Sequence, residues 1–97
     1  MLEVKSPWNN KNIGSVETNN SAQIEAILEE CKKIAYYKGK DFPPKERIQI
    51  LKTFQKMISE NIVSLAELAT SEGGKPITDS IIEIKRGAEG VESCIEV

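Results

Sequence analysis

Leu65-Ala66-Glu67-Leu68-Ala69-Thr70-Ser71-Glu72-Gly73-Gly74-Lys75-Pro76 is the stretch on which the fold turns. Ile62, Leu65, Ala66, Leu68 and Ala69 are spaced as one face of a helix. Gly73-Gly74 predicts a left-handed residue that closes this helix. Pro76 then forbids the same helix from resuming. Beyond the break, from about Thr78 onward, Ile77, Ile81, Ile84, Ala88, Val91 and Ile95 alternate spacings of four and three. That heptad-like seam predicts another helix. Gly87 and Gly90 weaken it by about 1 kcal/mol each relative to Ala, and they predict a close approach by another backbone.

The same reading extends upstream. Pro44 suits the first turn of a helix, where a missing amide proton costs nothing, and that helix has a core stripe of Ile50, Leu51, Phe54, Met57 and Ile58. Before it, Ile24, Ile27, Leu28, Cys31, Ile34 and Ala35 mark a helix over Ser21 to Tyr37. Asn20 and Gln23 have the spacing of a capping box, Lys32 and Lys33 suit the negative end of the helix dipole, and Gly39 is the expected terminator. From Glu3 to Val16 the pattern is extended around Asn9-Asn10-Lys11-Asn12, a good turn, with Pro7 confined to a strand end. The expected fold is mainly α. A short N-terminal β-hairpin over residues 1–18 precedes about four helices in one segment, residues 20–97.

Composition bounds the function. The chain has 97 residues, enough to bury only about 60–65% of its unfolded surface. Aromatic residues are 5%, so the core is expected to be Ile, Leu and Ala. Thirteen basic and 15 acidic residues give a net charge of -2, which makes no electrostatic case for nucleic acid or an anionic membrane. No apolar run approaches the roughly 20 residues of a membrane span. The N-terminus lacks the pattern of a signal peptide. A reducing, cytoplasmic setting without disulfides follows as the expectation. Two cysteines and no histidine exclude the common zinc patterns and any Cys-His or Ser-His pair within the chain.

The candidate chemistry is thin. Cys31 on an apolar stripe reads as a buried structural thiol, and Cys94 beside the last seam reads the same way. Glu72-Gly73-Gly74-Lys75-Pro76 lacks the second half of a phosphate loop and reads as a helix end. Lys32, Lys33, Lys38, Lys40, Lys45 and Arg47 surround one loop, but Asp41 and Glu46 interleave, so a solvated loop is preferred over an anion site. Glu83 and Arg86 have the spacing of a local ion pair. Asp79 and Glu83 share a face that permits a cation, with a solvated face as the default.

Taken together, the segments resemble the N-terminal region of the aldehyde dehydrogenase superfamily. Val4-Lys5-Ser6-Pro7-Trp8 and Ile13-Gly14-Ser15-Val16 are similar to its "V-x-N-P…I-G-x-V" hairpin, with Ser6 in place of the usual Asn. Glu46-Arg47-Ile48-Gln49-Ile50-Leu51 is similar to "E-R-x-x-I-L". The stretch from Leu65 to Pro76 resembles "L-A-x-L-x-x-x-E-x-G-K-P", and Asp79 to Arg86 resembles "D-S-x-x-E-V-x-R". The resemblance implies the helical layer of the cofactor-domain part of a far larger α/β enzyme. That parent oxidises an aldehyde to a carboxylic acid with NAD or NADP, through a cysteine thiolate. The family's nucleophile, general base and cofactor glycines lie downstream of this region, so no catalytic and no cofactor-binding residue is assigned here. One binding role carries over: a monovalent cation held by the carbonyls of Val4 and Lys5 and the carboxylate of Glu83.

Two readings follow. The chain is a non-catalytic N-terminal fragment of such an enzyme: a truncated chain, a proteolytic remnant or a broken gene product, as the unfinished last helix suggests. Alternatively it is a stand-alone, self-associating helical module. In either case Ile77, Ile81, Ile84, Val91 and Ile95 are expected to face water. They would then drive formation of a homo-oligomer through the last helix or seat the missing remainder of the enzyme.

Overall fold

The computed structural model describes residues 1–37 and 43–97. The expected terminator Gly39, and Lys38, Lys40 and Asp41 of the basic loop, lie outside the described residues. The order of elements is β1 (Leu2–Lys5), β2 (Asn12–Val16), α1 (Ser21–Tyr37), α2 (Pro44–Glu60), α3 (Ile62–Gly73) and α4 (Ile77–Glu96). A hairpin and four helices are what the sequence predicted.

The strands pair antiparallel in the register Leu2↔Val16, Glu3↔Ser15 and Val4↔Gly14, with an irregularity before Lys5↔Asn12. The turn is closed by Ser6 N donating to Lys11 O and Asn10 N to Ser6 O, both at 2.9 Å. Asn10 takes φ 56°, the left-handed angle that Asn tolerates better than most residues. Helix α1 opens on the expected capping box. The Asn20 amide donates to Gln23 Oε1 and the Gln23 amide to Asn20 Oδ1, both at 2.9 Å.

Asn61 divides α2 from α3 and serves both. Its Nδ2 donates to Met57 O at 2.8 Å, and its carbonyl accepts from Leu65 N at 3.0 Å. Helix α3 closes at Gly74, whose φ of 76° is left-handed and whose amide donates to Thr70 O at 2.9 Å. Helix α4 then packs along both α2 and α3.

The molecule is one layer deep. Its extents are 49 × 38 × 16 Å, and the thin dimension is little more than a helix with its side chains. The radius of gyration is 17.7 Å, against about 13 Å for a compact chain of 100 residues. A single layer cannot fully enclose large side chains, so the Ile and Leu residues of the expected core are at most half-buried. Among the described residues only Ala66, Ser80 and Ala88 are buried, and Ser80 is the largest fully buried side chain.

Three further expectations change. On α2, Ile48, Leu51, Gln55 and Ile58 are the half-buried residues, while Ile50, Phe54 and Met57 of the expected stripe are exposed. The seam of α4 is turned inward: Ile81, Ile84, Val91 and Ile95 are half-buried rather than facing water, and only Ile77 is more exposed. The glycines at 87 and 90 do not mark the close approach, since a Cβ at either meets nothing within 4 Å. Small side chains elsewhere permit that approach: Ala66 on α3, and Ser80 and Ala88 on α4.

Candidate functional site

The best-built place in the chain is the joint between α3 and α4, where the hairpin also arrives. Gly74 ends α3, and Pro76 opens α4 with φ -57° and ψ 140°. The Pro76 carbonyl accepts from the amides of Asp79 and Ser80, both at 3.1 Å. Asp79 lies in the first turn of α4, where a carboxylate complements the helix dipole. The hydroxyls of Thr70 and Ser80 are bonded at 2.8 Å across the two helices. That bond satisfies Ser80, which is 1% exposed and would otherwise bury an unpaired hydroxyl.

The hairpin turn lies directly on this joint. A Cβ built on Gly74 would stand 2.8 Å from Pro7 Cγ and 3.3 Å from Trp8 Nε1. Gly74 is therefore required twice, for its left-handed angle and for the contact of Pro7 and Trp8 with the chain.

Lys75 projects from the joint, and its Nζ pairs with Glu83 Oε1. The expected local pair of Glu83 with Arg86 is not the one formed. Lys75, Asp79, Ile82, Glu83 and Arg86 surround an open surface depression with two cationic and two anionic side chains. The Glu83 carboxylate is thus already paired with a positive charge, and a metal ion there would have to displace the Lys75 ammonium. Val4 and Lys5 lie at the end of β1 that runs into the Pro7–Trp8 turn. Sequence reasoning missed the Lys75 pairing because eight residues and a turn separate the partners, outside any helical spacing rule. It missed Thr70 and Ser80 because a hydroxyl pair has no periodic signature, although Ser80 stands eight residues before Ala88 on the same face.

Neither thiol is buried. Cys31 and Cys94 are both free and exposed, which corrects the structural reading given to each. Among the described residues no element packs along α1, so nothing covers Cys31. Cys94 borders a hollow with Arg47, Ile48 and Leu51, close to the start of α2. Lys32, Lys33, Lys45 and Arg47 are exposed, as a solvated loop requires.

The model of the aldehyde dehydrogenase family matches residues 1–97, the whole chain. The chain belongs to the aldehyde dehydrogenase family. It corresponds to the N-terminal region of that superfamily. Among curated aldehyde dehydrogenases, a mitochondrial methylmalonate-semialdehyde/malonate-semialdehyde dehydrogenase (acylating) of Mus musculus is 31% identical over 99% of this chain and 18% of its own length. A lactaldehyde dehydrogenase of Methanococcus aeolicus is 39% identical over 88% of this chain and 18% of its own length. Malonate-semialdehyde dehydrogenase 1 of Geobacillus kaustophilus is 31% identical over 94% of this chain and again 18% of its own. The chain spans less than a fifth of the length of these relatives.

Proposed function

We propose that this chain is a non-catalytic N-terminal part of an NAD(P)-dependent aldehyde dehydrogenase, one that oxidises an aldehyde to a carboxylic acid. It contributes a helical layer and the hairpin that docks on the joint of that layer. The family match over all 97 residues carries this reading. The architecture supports it, because a layer that among the described residues buries only Ala66, Ser80 and Ala88 has the form of one face of a larger body. Its own groups do not suffice for the chemistry. A nucleophilic cysteine is activated by a neighbouring base or cationic group, and Cys31 stands on an open helix face. The substrate class is an aldehyde, with semialdehydes and lactaldehyde as the first compounds to try, from the names of the relatives.

The test is reduction of NAD or NADP by the purified 97-residue chain, offered malonate semialdehyde, lactaldehyde and a simple alkanal. No turnover above a protein-free control is expected. Turnover that persists after mass spectrometry has excluded contaminating enzyme would overturn the non-catalytic reading. Extending the coding sequence past Val97 tests the other half: an open frame reaching a cofactor-binding strand and a catalytic cysteine is the result expected for the enzyme.

A further inference from the structure

We propose that the N-terminal hairpin is a conditional strap: β1 and β2 stay paired only while Gly74 closes α3 in its left-handed conformation, and the docked turn holds that closure in return. The proposal rests on contacts within these 97 residues and does not depend on the catalytic reading above.

The strands have little to keep them together. The sheet has two strands, and a two-stranded hairpin by itself is marginal in water. Of residues 1–18 only Val4 and Ser6 are half-buried; the others are exposed, Trp8 at 79%. The turn, by contrast, is firmly shaped. Besides the two backbone bonds that close it, Ser6 Oγ accepts from the Trp8 amide at 3.3 Å and Asn9 Oδ1 accepts from the Lys11 amide at 3.0 Å. The Pro7 ring cannot swing aside, because it is tied into the backbone. A stiff turn therefore meets the joint through Pro7 and Trp8, and Gly74 is the residue it meets.

That seat exists in one backbone state. Gly74 at φ 76° donates to Thr70 O and ends α3. If α3 frayed or ran on at this point, the Gly74 backbone would rotate and the seat for Pro7 would be lost. The seat also requires a bare Cα, since a Cβ there would stand 2.8 Å from Pro7 Cγ and 3.3 Å from Trp8 Nε1. A marginal hairpin and a helix end thus share one contact. Whatever orders one orders the other, and the coupling acts equally in both directions. The start of the chain is held or released according to the state of a turn far along the sequence.

Amide hydrogen exchange by NMR on the 97-residue chain tests the proposal, with Trp8 fluorescence alongside. Slowed exchange at Ser6, Asn10 and the paired strand amides is expected in the parent chain. Gly74→Ala should lower that protection about fivefold or more, whereas Gly73→Ala, whose Cβ meets nothing within 4 Å, should leave it unchanged. In the other direction, Pro7→Ala should speed exchange of the Gly74 amide by a similar factor and leave the amides in the middle of α2 as they were. Pro7 is exposed, so this variant carries the test alone if Gly74→Ala unfolds the helical layer. Hairpin protection that survives Gly74→Ala, equal effects of the two glycine substitutions, or a Gly74 amide indifferent to Pro7→Ala would overturn the proposal. A parent hairpin with no protection would overturn it as well.

Discussion

Helices α1 and α4 start from the same kind of sequence and end in different surroundings. Each carries an isoleucine-rich stripe at helical spacing, over 17 residues in α1 and 20 in α4. On α4 that stripe is half-buried against α2 and α3. On α1, Ile24, Ile27, Leu28 and Ile34 remain about half exposed, and among the described residues no element packs along them. The local patterns do not explain the difference, and the connections and contact residues do. A left-handed Gly74 and a two-residue link turn α4 straight back along α3, and small side chains at Ala66, Ser80 and Ala88 let the backbones meet. An apolar stripe supplies the drive to pack, and the turn geometry and the small residues determine against what.

The sharpest way to break this contrast is to place a charge in each helix's environment. Ala66→Asp buries an unpaired carboxylate at a position with no exposure, and it should cost several kcal/mol and abolish cooperative unfolding in urea followed by circular dichroism. Ile27→Asp on α1 should stay within about 0.5 kcal/mol of the parent in the same melt. Equal effects would show that α1 is packed as tightly as α4.

The two adjacent glycines sharpen the role of the turn. Gly74→Ala should cost about 1–2 kcal/mol, because it forces a left-handed angle on a residue with a Cβ. That Cβ also drives Pro7 and Trp8 off the joint, so Trp8 fluorescence should change with it. Gly73→Ala should be neutral or slightly stabilising, since Gly73 is helical with φ below zero and its Cβ would meet nothing within 4 Å. Reversal of the two outcomes would move the helix end by one residue.

Thr70→Val tests the hydroxyl pair across α3 and α4. It leaves Ser80 Oγ buried without Thr70 and should cost about 1 kcal/mol. Restoration by Thr70→Ser would separate the hydrogen bond from packing of the methyl group. The smallest effect belongs to Lys75→Met. Both members of its ion pair are about half exposed, so a loss of a few tenths of a kcal/mol, fading with added salt, is expected. A larger, salt-independent loss would show that the Lys75–Glu83 pair organises the joint.

Much of the fold was legible because it rests on local chemistry. The capping box of Asn20 and Gln23 needs only four consecutive residues, and it forms with both bonds at 2.9 Å. The choice of Gly73 or Gly74 as the closing residue was legible as a pair, and the contact with Pro7 and Trp8 separates them. The α2 stripe was less legible. Its apolar residues cover more than one face, and the two longest exposed ones, Phe54 and Met57, compete on hydropathy with Leu51 and Ile58, which turn inward. Gln55 on the inner face, donating to the Ala88 carbonyl at 3.4 Å, runs against hydropathy altogether. Of the candidate site, Glu83 was singled out, but its partner Lys75 lies across a turn that no periodic rule spans.

By itself, the sequence determined that a hairpin precedes four helices, which residues cap α1 and close α3, and the family. Those properties depend on residue type and short spacing. Only the tertiary structure decided which side of α2 is inner, that the seam of α4 turns inward while the stripe of α1 stays open, and that the hairpin meets the layer at Gly74. These depend on how distant segments are brought together. Burial free energy is nearly the same for any apolar partner, so hydropathy cannot name the partner, whereas backbone angles and side-chain size at Gly74, Ala66, Ser80 and Ala88 can.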